Sequence, residues 1–353
     1  MNGANGAIEA THWASEGDES TSAFLEVEEL FAPLPPVRWL CMELDIAPGA
    51  PTLIAGYGFS GKTVAVQDFA LAVATGSLAW GRFLVRHGRV LHLDYEQGAY
   101  LTRARYQRLA RARGIEPADI EGRLTVAPLP SLYLDGDARG DLERICDGFD
   151  LVIVDSFRAA CPRTEENSSE ARIPLDRTGR ISEATGATFL WLHHARKPSQ
   201  ERTGGARASI RGSGALFDAA ASVLVFCGEK GEPVTVEHEK ARITGRTHPD
   251  FRLHIEDVEI DGSPTAGLRL TATEGPGEAT EGSARFAALK TRVLELARQE
   301  GTLGGVNAIR ERLGARKEAV SAAVTELEAA GLLKRGGTYQ RPTFSLGTDD
   351  HER

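Results

Sequence analysis

The stretch Gly56-Tyr57-Gly58-Phe59-Ser60-Gly61-Lys62-Thr63 constrains this chain more than any other. An apolar run, residues 52–55, leads into it, and a helical pattern over 64–74 leads out. Strand, glycine loop and helix in that order wrap backbone N–H groups tightly at a helix N-terminus, where the positive end of the macrodipole lies. Gly56, Gly58 and Gly61 give the backbone room to wrap, and Lys62 adds a positive charge. The spacing G-x-x-x-x-G-K-[ST] in this setting is that of a loop cradling nucleotide phosphates. Lys62 would neutralise β/γ-phosphate charge, Thr63 would ligate Mg²⁺, and Ser60 and Val64 complete the nucleotide-binding set. The cofactors implied are ATP and Mg²⁺.

Around the loop, short apolar runs at 51–55, 89–93, 124–126, 151–154, 188–192 and 222–226 alternate with longer helical stretches. Continuous apolar runs followed by helices predict buried parallel strands, and hence an α/β domain over 37–272. Residues 234–239 and 251–256 alternate in period two, which predicts an antiparallel hairpin at one edge. The run 151–154 ends in Asp155, the expected partner of Thr63 for Mg²⁺. The run 89–93 leads into Asp94-Tyr95-Glu96, at a strand end where ligands bind in open α/β sheets. Glu96 is the first candidate to orient the attacking water, and Asp94 the second.

The order of the phosphate loop, residues 90–96, 151–156, His193-His194 with Arg196 and Lys197, the run 211–218, and Lys240-Ala241-Arg242 resembles the RecA-like P-loop ATPases of the RepA helicase type. These are relatives of the DnaB and KaiC ring ATPases. The resemblance covers about residues 37–260. It implies a RecA-like fold with a mostly parallel sheet, Glu96 as catalytic glutamate, and His194 as a sensor of the γ-phosphate. His193 and His194 point to opposite faces of a strand, which argues against a joint metal site. The resemblance further implies that Lys240 and Arg242 reach a neighbouring subunit's nucleotide in a ring-like homo-oligomer, a hexamer, with Arg242 catalytic; a surface pair is the other reading. The segment 196–211, with Arg202, Arg207 and Arg211, corresponds to a loop that can contact DNA. For Arg207 and Arg211 a role at the nucleotide stands beside DNA binding.

Residues 273–283 read as a linker of Gly, Glu, Thr and Pro. After it, helical patterns at 284–299, 306–313 and 317–330, then a turn at Gly336-Gly337 and a hairpin to 344, resemble a winged helix-turn-helix domain over 284–347, with a tail at 348–353. The formal charge of −9, from 41 basic and 50 acidic side chains, conceals a division. Residues 1–36 hold seven acidic and no Lys or Arg residues and read as a mobile acidic tail, whereas 285–345 hold eleven basic against six acidic, a net of +5. Arg316 and Lys317 begin the third helix, and Lys334 and Arg335 flank the wing. Duplex DNA is the partner these predict, with protein interaction as the other use of such a module. The tail of this size departs from the compact RepA helicases and weighs against processive unwinding.

The four cysteines, Cys41, Cys146, Cys161 and Cys227, lack CxxC spacing, which fits a reduced, cytoplasmic protein. No apolar run reaches membrane-spanning length, and the acidic N-terminus does not read as a signal peptide. Three functions remain: a helicase or DNA-remodelling ATPase, an ATP-controlled DNA-binding regulator, and a KaiC-like signalling ATPase.

Overall fold

A computed structural model describes residues 25, 27–136, 139–194, 214–228, 232–275, 281–338 and 341–347. Arg202, Arg207 and Arg211 lie outside the described residues, as does most of the acidic tail. Residues 1–37 and 38–353 form two compact units. In the first, one helical turn, Val27–Leu30, carries exposed apolar side chains at Val27 and Leu30.

The second unit is built on a nine-stranded sheet. Its strands are β1 (Thr52–Gly56), β2 (Val90–Asp94), β3 (Leu124–Pro128), β4 (Leu151–Asp155), β5 (Thr188–His194), β6 (Ser222–Cys227), β7 (Val234–Ala241), β8 (Phe251–Ile260) and β9 (Ser263–Glu274). They lie in the order β9-β8-β7-β6-β1-β5-β4-β2-β3. The six from β6 to β3 run parallel, and β7, β8 and β9 continue antiparallel. Every residue of β1, β2 and β4 is buried, because helices cover both faces. Period two divides each strand: Ile54, Leu151 and Ile153 enter one core, and Leu53, Val152 and Val154 the other.

On the first face lie α1 (Lys62–Thr75) and α2 (Ala99–Arg113), with Phe69, Tyr106 and Leu109 in the core. On the second lie α3 (Arg139–Cys146), α4 (Ile173–Thr185) and α5 (Gly214–Ala219), with Leu142, Leu175 and Leu216 buried. A side chain of this size stabilises the fold by about 1.5–3 kcal/mol when fully buried. α1 is Ala-rich and buried on almost every side, and ends where Gly76 at φ 62° bonds back to the carbonyls of Ala72 and Val73.

The edge differs from the sequence expectation. β7 and β8 pair over only three residues, 234–236 with 251–253, and β8 pairs along its length with β9 instead. Asp261 and Gly262, both at positive φ, make the turn between them. This hairpin packs back on α2, where Arg108 donates to the carbonyls of Thr265 and Gly267.

The C-terminal elements are α6 (Glu281–Glu300), α7 (Val306–Leu313), α8 (Lys317–Ala329), β10 (Thr302–Leu303), β11 (Leu333–Thr338) and β12 (Arg341–Leu346). The strands form a small sheet in the order β10-β12-β11. Gly336 and Gly337 lie inside β11, paired with Thr343 and Pro342, and not at a turn as expected. Val293, Val320, Leu327 and Phe344 share one core, which Leu84 from the hairpin after α1 also enters. Lys290, 4% exposed, donates to Glu43 and Glu326 at 3.1 and 3.0 Å, and Arg298 donates to the carbonyl of Gly76.

Candidate nucleotide site

The parallel register brings the sequence motifs together at the carboxyl ends of the strands. Gly56 at the end of β1 pairs with His194 of β5, and Asp94 at the end of β2 pairs with Asp155 of β4. Two glycines of the loop are required, Gly56 by lack of space and Gly61 by its left-handed backbone. A Cβ on Gly56 would lie 2.5 Å from the Phe226 carbonyl oxygen, and one on Gly61, at φ 79°, would lie 2.4 Å from Cδ1 of Ile255 in β8. Gly58 has open space around it.

Lys62 is 5% exposed, and its Nζ donates to the carbonyls of Gly56 and Tyr57, both at 2.8 Å, and to Ser60 Oγ at 3.4 Å. Burial lowers its pKa to about 8, against the opposing pull of Asp155 and Glu96. A phosphate offered to this loop would exchange carbonyl dipoles for full charges on the ammonium. Thr63 and Val64 follow as half-buried residues of the first turn.

Asp155 is 1% exposed. Burial raises its pKa to about 7, the Thr63 hydroxyl beside it pulls the other way, and the charges of Asp94 and Glu96 raise it further. Neither of its carboxylate oxygens has a hydrogen-bond partner at proper geometry. Two orphaned buried carboxylate oxygens beside a hydroxyl at a phosphate loop are a donor set that fits Mg²⁺. Among the described residues no group of three or more His, Cys, Asp or Glu is arranged to hold a metal.

Glu96 and Asp94, the two candidates, separate clearly. Asp94 is 0% exposed, and both its oxygens are taken by neighbouring groups. Glu96 is half-buried, and its Oε1 accepts from Ser156 Oγ and from His194 Nε2 at 2.9 Å. The His194 hydrogen bond holds its carboxyl below the usual carboxylate range; partial burial opposes this, and Ser156 and Lys62 reinforce it. Glu96 is therefore an anion in neutral solution, able to accept a proton. A carboxylate only accepts, so His194 carries its proton on Nε2. Ser156 is a site residue that strand patterning did not single out, although it directly follows Asp155. His193 lies on the other face of β5, its pKa lowered to about 4 by burial.

Lys240 and Arg242 do not join this site within the chain. Lys240 pairs with Val223, which stands opposite Leu53 near the start of β1, so both lie at the amino ends of the parallel strands, away from the loop. Lys240 Nζ donates to the Phe217 and Asp218 carbonyls at 2.7 and 3.1 Å, and the Arg242 guanidinium to Asp218 O at 2.5 Å. Burial lowers the Lys240 pKa to about 8. Asp45, which patterning also passed over, accepts the N–H groups of Ile243 and Thr244 at 3.0 and 2.9 Å and so pins the turn after Arg242.

The AAA domain family matches residues 18–200, just over half of the chain. The chain belongs to the AAA domain family. The part matched to the AAA domain holds the phosphate loop, Glu96, Asp155 and His194. A solved structure, the crystal structure of the RadB recombinase, is similar over 64% of this chain and 91% of its own, at 20% identity and a TM-score of 0.41. No curated protein matches the sequence. In this AAA domain chain the phosphate loop follows the central strand β1 of a mostly parallel sheet. Among the described residues no helix is long and apolar enough to cross a membrane.

Proposed function

We propose that this protein hydrolyses ATP and acts on DNA as a RepA-like helicase or DNA-remodelling ATPase, assembled as a ring-like homo-oligomer. The observation that carries the hydrolytic part is the convergence of Lys62, Asp155 and an anionic Glu96 at the carboxyl ends of the parallel strands. Lys62 and the loop amides hold the β- and γ-phosphates. Thr63 and Asp155 hold Mg²⁺, which when bound neutralises charge on the phosphate oxygens. Glu96 orients a water and takes its proton as the oxygen attacks the γ-phosphorus and the bond to the β-phosphate oxygen breaks, releasing ADP and phosphate. His194, bonded to Glu96, couples that carboxylate to the γ-phosphate position.

Arg242, with Lys240, serves a neighbouring copy in this reading, since both lie at the end of the strands away from their own loop. The C-terminal module is read as a winged helix that binds duplex DNA. Its support is the exposed Arg316, Lys317 and Arg341, which make no ion pair among the described residues. Other basic residues there are already engaged: Lys290 and Arg298 face the sheet domain, and Arg335 pairs with Glu328 through two 2.8 Å bonds. Arg335 is thus a weaker DNA contact than Arg316 and Lys317, with Lys334 beside it on β11. Arg202, Arg207 and Arg211 are proposed to add sequence-independent phosphate contacts.

One observation favours the second reading, an ATP-controlled DNA-binding regulator. The C-terminal module is tied through Arg298 to Gly76, the cap of the helix whose other end bears Lys62. ATP turnover measured with and without single- and double-stranded DNA, beside a strand-displacement assay, decides between them. DNA-stimulated turnover with unwinding is the expected result, and ATP-dependent DNA binding without unwinding would give the regulator.

A further inference from the structure

Asp94 ends β2, is fully buried and lies beside a second buried acid. Its Oδ1 accepts the backbone N–H of Glu96 at 3.2 Å and of Gln97 at 2.9 Å, and its Oδ2 accepts Thr102 Oγ1 at 2.7 Å. One side chain thus ties the turn bearing Glu96 to the first turn of α2. This is not a helix cap, because Gly98 occupies the N-cap of α2 and makes no side-chain cap bond. The residue between is fixed too: Tyr95 donates its N–H to Asp155 O at 2.6 Å and its hydroxyl to Leu132 O at 2.7 Å.

We infer that Asp94 is a positioning residue for Glu96. With Thr102 it fixes the turn 95–97 so that the Glu96 carboxylate faces Ser156 and His194. The inference rests on the reading of Glu96 as the residue that orients the attacking water. A burial this complete costs a carboxylate its hydration, and the three accepted bonds offset that cost only while the turn keeps its shape. Loss of the tie leaves Glu96 chemically intact but misplaced, and a misplacement of ~1 Å reduces the rate by up to ~100-fold.

The test is steady-state ATP hydrolysis on the full chain, with binding of a fluorescent ATP analogue measured in parallel, for Asp94→Ala, Asp94→Asn, Thr102→Val and Glu96→Gln. Asp94→Ala is expected to lower kcat by about 10- to 100-fold while KM and analogue affinity stay within about twofold. Asp94→Asn keeps an oxygen for the two amides and recovers most of the rate. Thr102→Val, which removes one hydroxyl without changing shape, lowers kcat by about threefold and reports even where Asp94→Ala does not fold. A folded Asp94→Ala protein with a wild-type kcat, or one that loses analogue binding in step with kcat, overturns the inference. So does a Thr102→Val protein with unchanged kcat. An inactive Glu96→Gln beside a fully active Asp94→Ala removes the positioning role alone, whereas wild-type turnover by Glu96→Gln removes the base assignment and the inference together.

Discussion

Single residues of the phosphate loop are legible because their chemistry is local. Gly56 is required where a Cβ would strike the Phe226 carbonyl and Gly61 where φ is 79°, and Lys62 and Thr63 follow at fixed spacing. Asp155 is legible as an acid ending an apolar strand, but its orphaned oxygens are not, since they depend on what the neighbouring strands bring. Ser156 is legible only through tertiary structure, because Glu96 lies 60 residues away in sequence. Asp155 also predicts a cost to stability. An unfolded chain releases this proton near pH 4, whereas the folded protein holds it to about 7. Below pH 4 both states are protonated and no penalty exists; between pH 4 and 7 the penalty on folding grows; above 7 it is level at about 4 kcal/mol. Asp155→Asn is therefore expected to melt higher than wild type by a margin that widens from pH 4 to 7 and is constant above. A margin independent of pH across that window would contradict the burial argument.

At the level of elements, period and composition locate the parallel strands almost residue by residue, since buried strands are continuous apolar runs. At the antiparallel edge, alternation over 234–239 and 251–256 marks β7 and β8 but not β9. β9 alternates through Leu268, Leu270 and Ala272 behind an Asp-Gly turn, a strong hairpin signal, and that turn joins β8 to β9 and not β7 to β8. The strand supports the aromatic cluster around Trp80, whose ring lies 5.8 Å from Phe69, Phe83 and Phe251 and whose carbonyl accepts the Ala272 N–H at 2.8 Å. Trp80 is fully buried and its Nε1 donates to Ala65 O at 2.9 Å, inside α1. Trp80→Ala is expected to cost about 3–5 kcal/mol in denaturant unfolding. A loss under about 1 kcal/mol would mean that the cluster does not hold α1 against the edge strands.

At the scale of the whole molecule, the net charge of −9 describes no region of the chain. The basic C-terminal module turns Lys290 and Arg298 inward and leaves Arg316, Lys317 and Arg341 outward, so packing divides one charge total into a docking part and a part open to a polyanion. The nucleotide site likewise belongs to the fold as a whole: Glu96 and His194 stand 98 positions apart in sequence and meet because β2 and β5 lie on either side of β4. The most direct measurement is ATP binding and single-turnover hydrolysis by Glu96→Gln beside the wild type. Retained binding with hydrolysis slowed by at least ~100-fold is the result predicted for a carboxylate that takes the proton of the attacking water. Hydrolysis at the wild-type rate would contradict the account, because the strand ends where Lys62, Asp155 and Glu96 converge would then not be where water is activated.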